Sequence, residues 1–320
     1  MHLRKRRRRA PVLWLLLCCL LAGCAAPGES VESGFSPSPY GLAEGALVYR
    51  EDLSALLVMG MAYDSQNASY ASTLTLVVVD EPSGLVSLLS IPKDTRVLLS
   101  VYDEDGQAQP PYHGAISQAY YLGEAQGLGE RNTVALVQEL LGGVPLENYA
   151  MLNLVQLRQL SNLTGGVEVT VDSSLASSYA SLSPGRQLLG RNLETYASHS
   201  YLVSQDGQLL AGTDTQKIGR HQRLILAFLQ ALSDTLDQAE DPDALAQEIH
   251  DILRTSLDAD RLADFIHSAA RVAENGQVSH QILPGADGLI GQDTYFLPDS
   301  AQTKAWVLER FYKELSLPSD

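Results

Sequence analysis

Between residues 55 and 89 the chain carries three short apolar runs: Ala55-Leu56-Leu57-Val58-Met59, Leu74 to Val79, and Leu85-Val86-Ser87-Leu88-Leu89. Runs this short, rich in Leu and Val and separated by a turn at Asp80-Glu81-Pro82-Ser83-Gly84, read as strands rather than helices. They lack the alternation of a strand with one wet face, so both faces of their sheet must be buried. Such a sheet needs helices on each side, and the rest of the sequence supplies them. Helices are expected at 115–125, 130–142 and 155–163, with strands near 149–153 and 167–171. The second half is mostly helical, at 191–199, 215–236, 242–256, 259–274 and 301–315, with one more strand near 278–283. Gly165-Gly166 reads as a tight turn. The expected fold class is α/β, a three-layer α-β-α sandwich around a central mixed sheet.

The first 24 residues set the cellular expectation. Arg4 to Arg9 form a cationic block, and Val12 to Leu21 follow as an apolar run too short to cross a bilayer with margin. This reads as an export signal. Its end, Leu21-Ala22-Gly23-Cys24, resembles the lipobox of bacterial lipoproteins, in which the cysteine thiol receives diacylglycerol. The alternatives are an uncleaved apolar anchor and an ordinary signal with a chance cysteine. With lipid on Cys24, residues 1–23 are a signal peptide, 24–46 a Ser-, Pro- and Gly-rich tether, and 47–316 the folded domain. Buried acyl chains at ~0.8 kcal/mol per methylene anchor such a protein durably, on the extracellular face of the cell membrane.

Charge narrows the function further. Cleavage before Cys24 removes six basic and no acidic residues and takes the formal charge from −16 to −22. Duplex binding relies on Lys and Arg neutralising phosphates, so no nucleic-acid partner is expected. Cys18 and Cys19 leave with the signal, which rules out an intrachain disulfide and a cysteine metal site. No His-Glu-x-x-His spacing, Gly-x-Ser-x-Gly elbow or phosphate-cradling glycine loop is present.

Two segments carry the candidate chemistry. Ser90-Ile91-Pro92-Lys93-Asp94-Thr95 follows a buried strand, and ligand crevices form beyond strand ends in open α/β sheets. Asp94 there either holds a hard cation beside a phosphate that Lys93 faces, or caps a turn beside a solvated lysine. The second segment opens the helix at 215, which Asp214 or Thr215 caps. Lys217, Arg220 and His221 fall at i, i+3 and i+4 on one expected face. Basic side chains usually avoid a first helical turn, where the macrodipole is positive, so an anion offsets the repulsion there or acidic neighbours pair with a solvated face.

In order, several segments resemble the LytR-CpsA-Psr family, which moves glycopolymers from a polyprenyl-phosphate carrier onto peptidoglycan in Gram-positive envelopes. They are the segment at 90–95; Ala119-Tyr120 with Gly123; Gly142-Gly143-Val144-Pro145; Leu163 to Val169; Leu188 to Tyr196; and Asp214-x-x-Lys217-x-x-Arg220-His221. The resemblance implies a phosphotransferase whose partners are a polyprenyl-phosphate-linked glycopolymer, peptidoglycan and a membrane. It implies Asp94 and Arg220 as catalytic residues, Asp94 as ligand of a magnesium ion (Mg2+), and Lys93, Lys217 and His221 at the phosphate. The sequence also departs from the family. A family arginine and aspartate fall on Tyr70 and Ser72, a basic residue falls on Ala115 near His113, and two arginines fall on Ser198 and Ser200, which flank His199. Since phosphoryl transfer depends on such charges, a relative that binds polyprenyl phosphate or wall polymer as scaffold or regulator is the alternative.

Mass spectrometry of the N-terminal peptide is expected to show cleavage before Cys24 and diacylglycerol on its sulfur. An unmodified Cys24, or cleavage elsewhere, would refute the lipoprotein reading.

Overall fold

The computed structural model describes residues 47–102, 107–204 and 206–314. The expected signal peptide, Cys24 and the expected tether lie outside the described residues.

The first strand, β1 (Leu47–Tyr49), precedes the three apolar strands β2 (Ser54–Tyr63), β3 (Ser69–Asp80) and β4 (Leu85–Ile91), and a hairpin of β5 (Arg96–Tyr102) and β6 (Ala108–Ala115). The chain continues through α1 (Ala119–Glu124), α2 (Gly129–Leu140), β7 (Tyr149–Leu152), α3 (Leu154–Leu163), β8 (Val167–Val171), α4 (Ser173–Ser178), β9 (Gly185–Leu189) and α5 (Leu193–Ser198). Then come α6 (Thr215–Asp237), α7 (Pro242–Ile252), β10 (Arg254–Thr255), α8 (Ala259–Asn275), β11 (Gln277–Ile282), the hairpin β12 (Gly285–Ile290) and β13 (Asp293–Pro298), α9 (Ser300–Phe311) and β14 (Tyr312–Glu314).

Six strands form the central sheet in the order β10-β7-β2-β3-β4-β11. The pairs β2–β7 and β4–β11 are parallel, and β2–β3, β3–β4 and β7–β10 are antiparallel, so the sheet is mixed. Successive side chains of a strand point to opposite faces, and here both faces are covered. Leu56, Val77, Val79 and Leu88 meet α3, α6, α7 and α8 on one side. Leu57, Leu76, Val78 and Leu89 meet α2 and α9 on the other. Leu76 and Val77, neighbours on β3 that face opposite layers, are both 0 % exposed. The three-layer α-β-α sandwich is the observed fold.

Several boundaries differ from the sequence expectation, for tertiary reasons. β3 begins at Ser69, because β2 continues to Tyr63 and pairs with this more polar stretch across a bulge at Gly60/Met61. The last helix stops at Phe311, where Tyr312–Glu314 pairs with β1. The helix expected over 242–256 ends at Ile252, and Arg254-Thr255 adds to the sheet edge beside β7. Ala115 belongs to β6, which a short 3-10 turn joins to α1. The hairpins β5–β6 and β12–β13, and the strand β9, were not foreseen. Gly165 and Gly166 do form the tight turn into β8, with φ of +70° and +116°, a backbone region that favours glycine.

One side chain ties α6 to the sheet. The buried Gln222 Nε2 donates to the Gln281 carbonyl (2.7 Å) and to Ser90 Oγ (3.1 Å), bridging β4 and β11. Gln222→Ala removes the donor to the Gln281 carbonyl, while Ser90 Oγ keeps the Thr75 hydroxyl (2.9 Å), and is expected to lower stability by about 1–3 kcal/mol in urea unfolding. An unchanged midpoint would show that other groups replace these bonds.

Candidate functional site

β4 ends at Ile91, and the loop Pro92-Lys93-Asp94-Thr95 that follows is fixed from several directions. The Thr95 N–H and hydroxyl both donate to the Pro92 carbonyl, at 2.9 and 2.6 Å. Backbone N–H groups of Ser117, Phe296 and Ile116 donate to the carbonyls of Lys93 (3.1 Å), Asp94 (3.0 Å) and Thr95 (2.8 Å). Lys93 and Asp94 therefore stand on a rigid base. Their side chains are 45 % and 35 % exposed, and the Lys93 ammonium donates to both carboxylate oxygens of Asp94 at 2.8 Å.

α6 begins beside this loop. Asp214 caps it by accepting from the Lys217 N–H (2.8 Å), and its other oxygen accepts from Ser200 Oγ (2.7 Å) and the Tyr201 N–H (2.8 Å). Burial alone would raise the Asp214 pKa, but these hydrogen bonds and the Arg220 charge bring it below the ordinary value. Lys217 is half-buried one turn on. Burial lowers its pKa, Asp214 opposes this, and repulsion from Lys93 and Arg220 adds to it. No described residue forms a hydrogen bond or ion pair with its ammonium.

These groups border two adjoining spaces. A polar cleft of about 70 Å3 is lined by Lys93, Asp94, Ser200, Asp214, Lys217 and His221 among others. Next to it, between the sheet and α3, α6 and α8, lies an apolar cavity of about 310 Å3, with Val58, Leu157, Phe228 and Phe265 in its walls. Ser72, Thr73, Lys217 and His221 line both spaces. The cleft is thus charged where it meets an apolar chamber, the division of labour of a site for an amphiphile.

Two expected phosphate contacts are corrected. Arg220 is 0 % exposed, lines neither space, and donates through Nε to the Tyr196 carbonyl (3.3 Å) and through Nη2 to that of His199. Its guanidinium stacks 4.9 Å from the centre of the Tyr201 ring, whose hydroxyl donates to Asp172 (2.6 Å). Neighbouring helical positions are ~100° apart, so the turn that aims 217 and 221 at the cleft aims 220 towards α5. His221 borders the cleft but offers no charge. Its Nε2–H donates to the Ala197 carbonyl (2.7 Å), which can only accept, so Nδ1 accepts from Thr73 Oγ1 (2.7 Å). Burial lowers its pKa to about 4. Lys93, Asp94 and Lys217 are the charged residues of the expected set that share the cleft.

Of the positions where the sequence departs from the family, Ser72 lies in the common wall and donates its hydroxyl to the Gly60 carbonyl (3.0 Å). Ser200 lines the cleft and Ser198 the apolar cavity. His113 lies on β6 opposite Leu98, and His199 accepts from or donates to the Tyr179 hydroxyl (2.9 Å) between the Tyr179 and Tyr201 rings. Neither lines the cleft. On α6 the cavity is lined by Leu224, Ile225, Phe228 and Leu229.

The donor set fits a dedicated magnesium site poorly. The cleft has two carboxylates: Asp94, whose two oxygens accept from the Lys93 ammonium, and Asp214, whose oxygens accept from three donors. Among the described residues no three carboxylate, imidazole or thiol groups converge. Magnesium prefers oxygen donors and an octahedral shell.

His221 also fixes a pH response. It is neutral in the fold down to about pH 4 but protonates near 6.5 when unfolded. Its contribution to stability is therefore complete above about pH 6.5 and falls with acidification towards pH 4, by up to about 1.4 kcal/mol per pH unit. In His221→Gln the amide can make both hydrogen bonds without titrating. Urea midpoints between pH 7.5 and 4.5 are expected to fall less steeply in the variant, and equal slopes would refute this.

Comparison with known proteins places the chain. The sequence profile of the LytR_cpsA_psr family matches residues 38–309. The polyisoprenyl-teichoic acid–peptidoglycan teichoic acid transferase TagU of Halalkalibacterium halodurans is 28 % identical over 120 residues, 37 % of this chain and 35 % of that protein. The alignment thus spans about a third of that relative. The crystal structure of B. subtilis TagV superposes with a TM-score of 0.60 at 19 % identity, over 82 % of this chain and 98 % of that one. A structure of TagT bound to LI-WTA gives 0.58 at 18 % identity, over 82 % and 91 %. With the profile match spanning most of its length, the chain belongs to the LytR-CpsA-Psr family.

Proposed function

We propose that this protein transfers a glycopolymer from a polyprenyl-phosphate or pyrophosphate carrier to peptidoglycan, on the outer face of the cell membrane, to which lipid on Cys24 anchors it. The observation that carries the reading is Lys217. A half-buried ammonium with no hydrogen-bond or ion-pair partner among the described residues stands where an apolar cavity meets a polar cleft. A cation in that position is satisfied by an anionic ligand, and an isoprenoid tail attached to a phosphate would fill both spaces at once. The names of relatives, a teichoic acid transferase and a complex with LI-WTA, support the same substrate class.

In this reading Lys217 and Lys93 bind the phosphate charge. An acceptor sugar hydroxyl attacks the phosphorus that bears the glycan, and its proton passes to the Asp94 carboxylate. With a pyrophosphate carrier the P–O bond bridging to the second phosphorus breaks and the lipid leaves as its monophosphate; with a monophosphate carrier the P–O bond to the lipid breaks and it leaves as the alcohol. A second reading, binding without turnover as scaffold or regulator, draws support from the placement of Arg220 away from the cleft and the hydroxyl of Ser72 in its wall.

Purified protein with a lipid-pyrophosphate glycan and peptidoglycan fragments is expected to yield linked product. Tight lipid binding without product would leave the second reading. Lys217→Ala is expected to weaken polyprenyl-phosphate binding by ~1.5–3 kcal/mol, about 10- to 150-fold. An unchanged affinity would remove Lys217 from the site.

A further inference from the structure

Granting the lipid-phosphate reading above, we propose that the Lys93 ammonium takes the place of a divalent cation in this cleft, so that the phosphate is gripped without metal. Three features lead there. The first is position: the Lys93 ammonium bonds both oxygens of Asp94 at 2.8 Å, astride the carboxylate where a bidentate cation would sit. The second is the donor set. Asp214 has both oxygens committed to the start of α6 and the Ser200-Tyr201 turn, the Ser72 hydroxyl is directed to the Gly60 carbonyl, and among the described residues no three carboxylate, imidazole or thiol groups converge. The third is charge. Lys93 and Lys217 are close enough for the first to repel the second. A dication in the same cleft would be repelled by both ammonium groups, whereas a phosphate dianion is attracted by them. The Lys93–Asp94 pair is partly exposed and contributes little to stability, which leaves its geometry free to serve the ligand.

The roles separate in a binding experiment on the full-length protein in detergent micelles, with geranylgeranyl phosphate as probe, first in EDTA and then with magnesium. Wild-type protein is expected to bind with the same Kd in both buffers. Lys93→Ala, a change at an exposed side chain, is expected to bind roughly tenfold or more weakly in EDTA and to regain part of that loss with magnesium, because Asp94 is then free to hold the ion. Wild-type binding that disappears in EDTA and returns with magnesium would overturn this inference and leave the lipid-phosphate reading standing. A loss in Lys93→Ala that magnesium does not relieve would also overturn it, reducing Lys93 to an ordinary phosphate contact. Failure of wild-type protein to bind in either buffer would sink the lipid-phosphate reading and this inference together.

Discussion

Burial of the central strands on both faces is the constraint from which the rest of the structure follows. β3 has apolar side chains up and down, each side needs its own helical layer, and the two cores differ in kind. The α2 and α9 side is closed with Trp306, Val307 and Phe311. The α3, α6 and α8 side encloses a cavity. Packing at native density normally leaves few voids of that size, and this one lies beside the first turn of α6, which carries Lys217.

That helix, α6, serves three surroundings at once because of its 3.6-residue period. Positions 217 and 221 face the cleft, 224, 225 and 228 line the cavity, and 220 turns inward to α5. Gln222 fixes its distance from the sheet, and Asp214 fixes where it starts. Ligand-facing charge is therefore set by a backbone that is locked at both the cap and the sheet.

Arg220 shows how a retained residue can change its task. Its guanidinium donates through Nε and Nη2 to the carbonyls of Tyr196 and His199 and lies over the Tyr201 ring, and Tyr201 in turn binds Asp172. This network shapes the wall that bears Ser200 and Asp214, both of which line the cleft. Its influence on a ligand runs through that wall.

The sequence by itself determined the doubly covered sheet, the main helices and the glycine turn at 165–166. All are local: unbroken apolar runs, helical periodicity, a cap residue and a turn type depend on neighbours a few positions away. Only the tertiary structure decided the rest. Partners distant in sequence made Tyr312–Glu314 and Arg254-Thr255 into strands, and whether a helical cation faces a cleft or a carbonyl depends on the helix's rotation about its axis. That rotation is set by packing against α5 and the sheet, which is why spacing grouped Arg220 and His221 with Lys217 although one is turned away from the cleft and the other is kept neutral by burial.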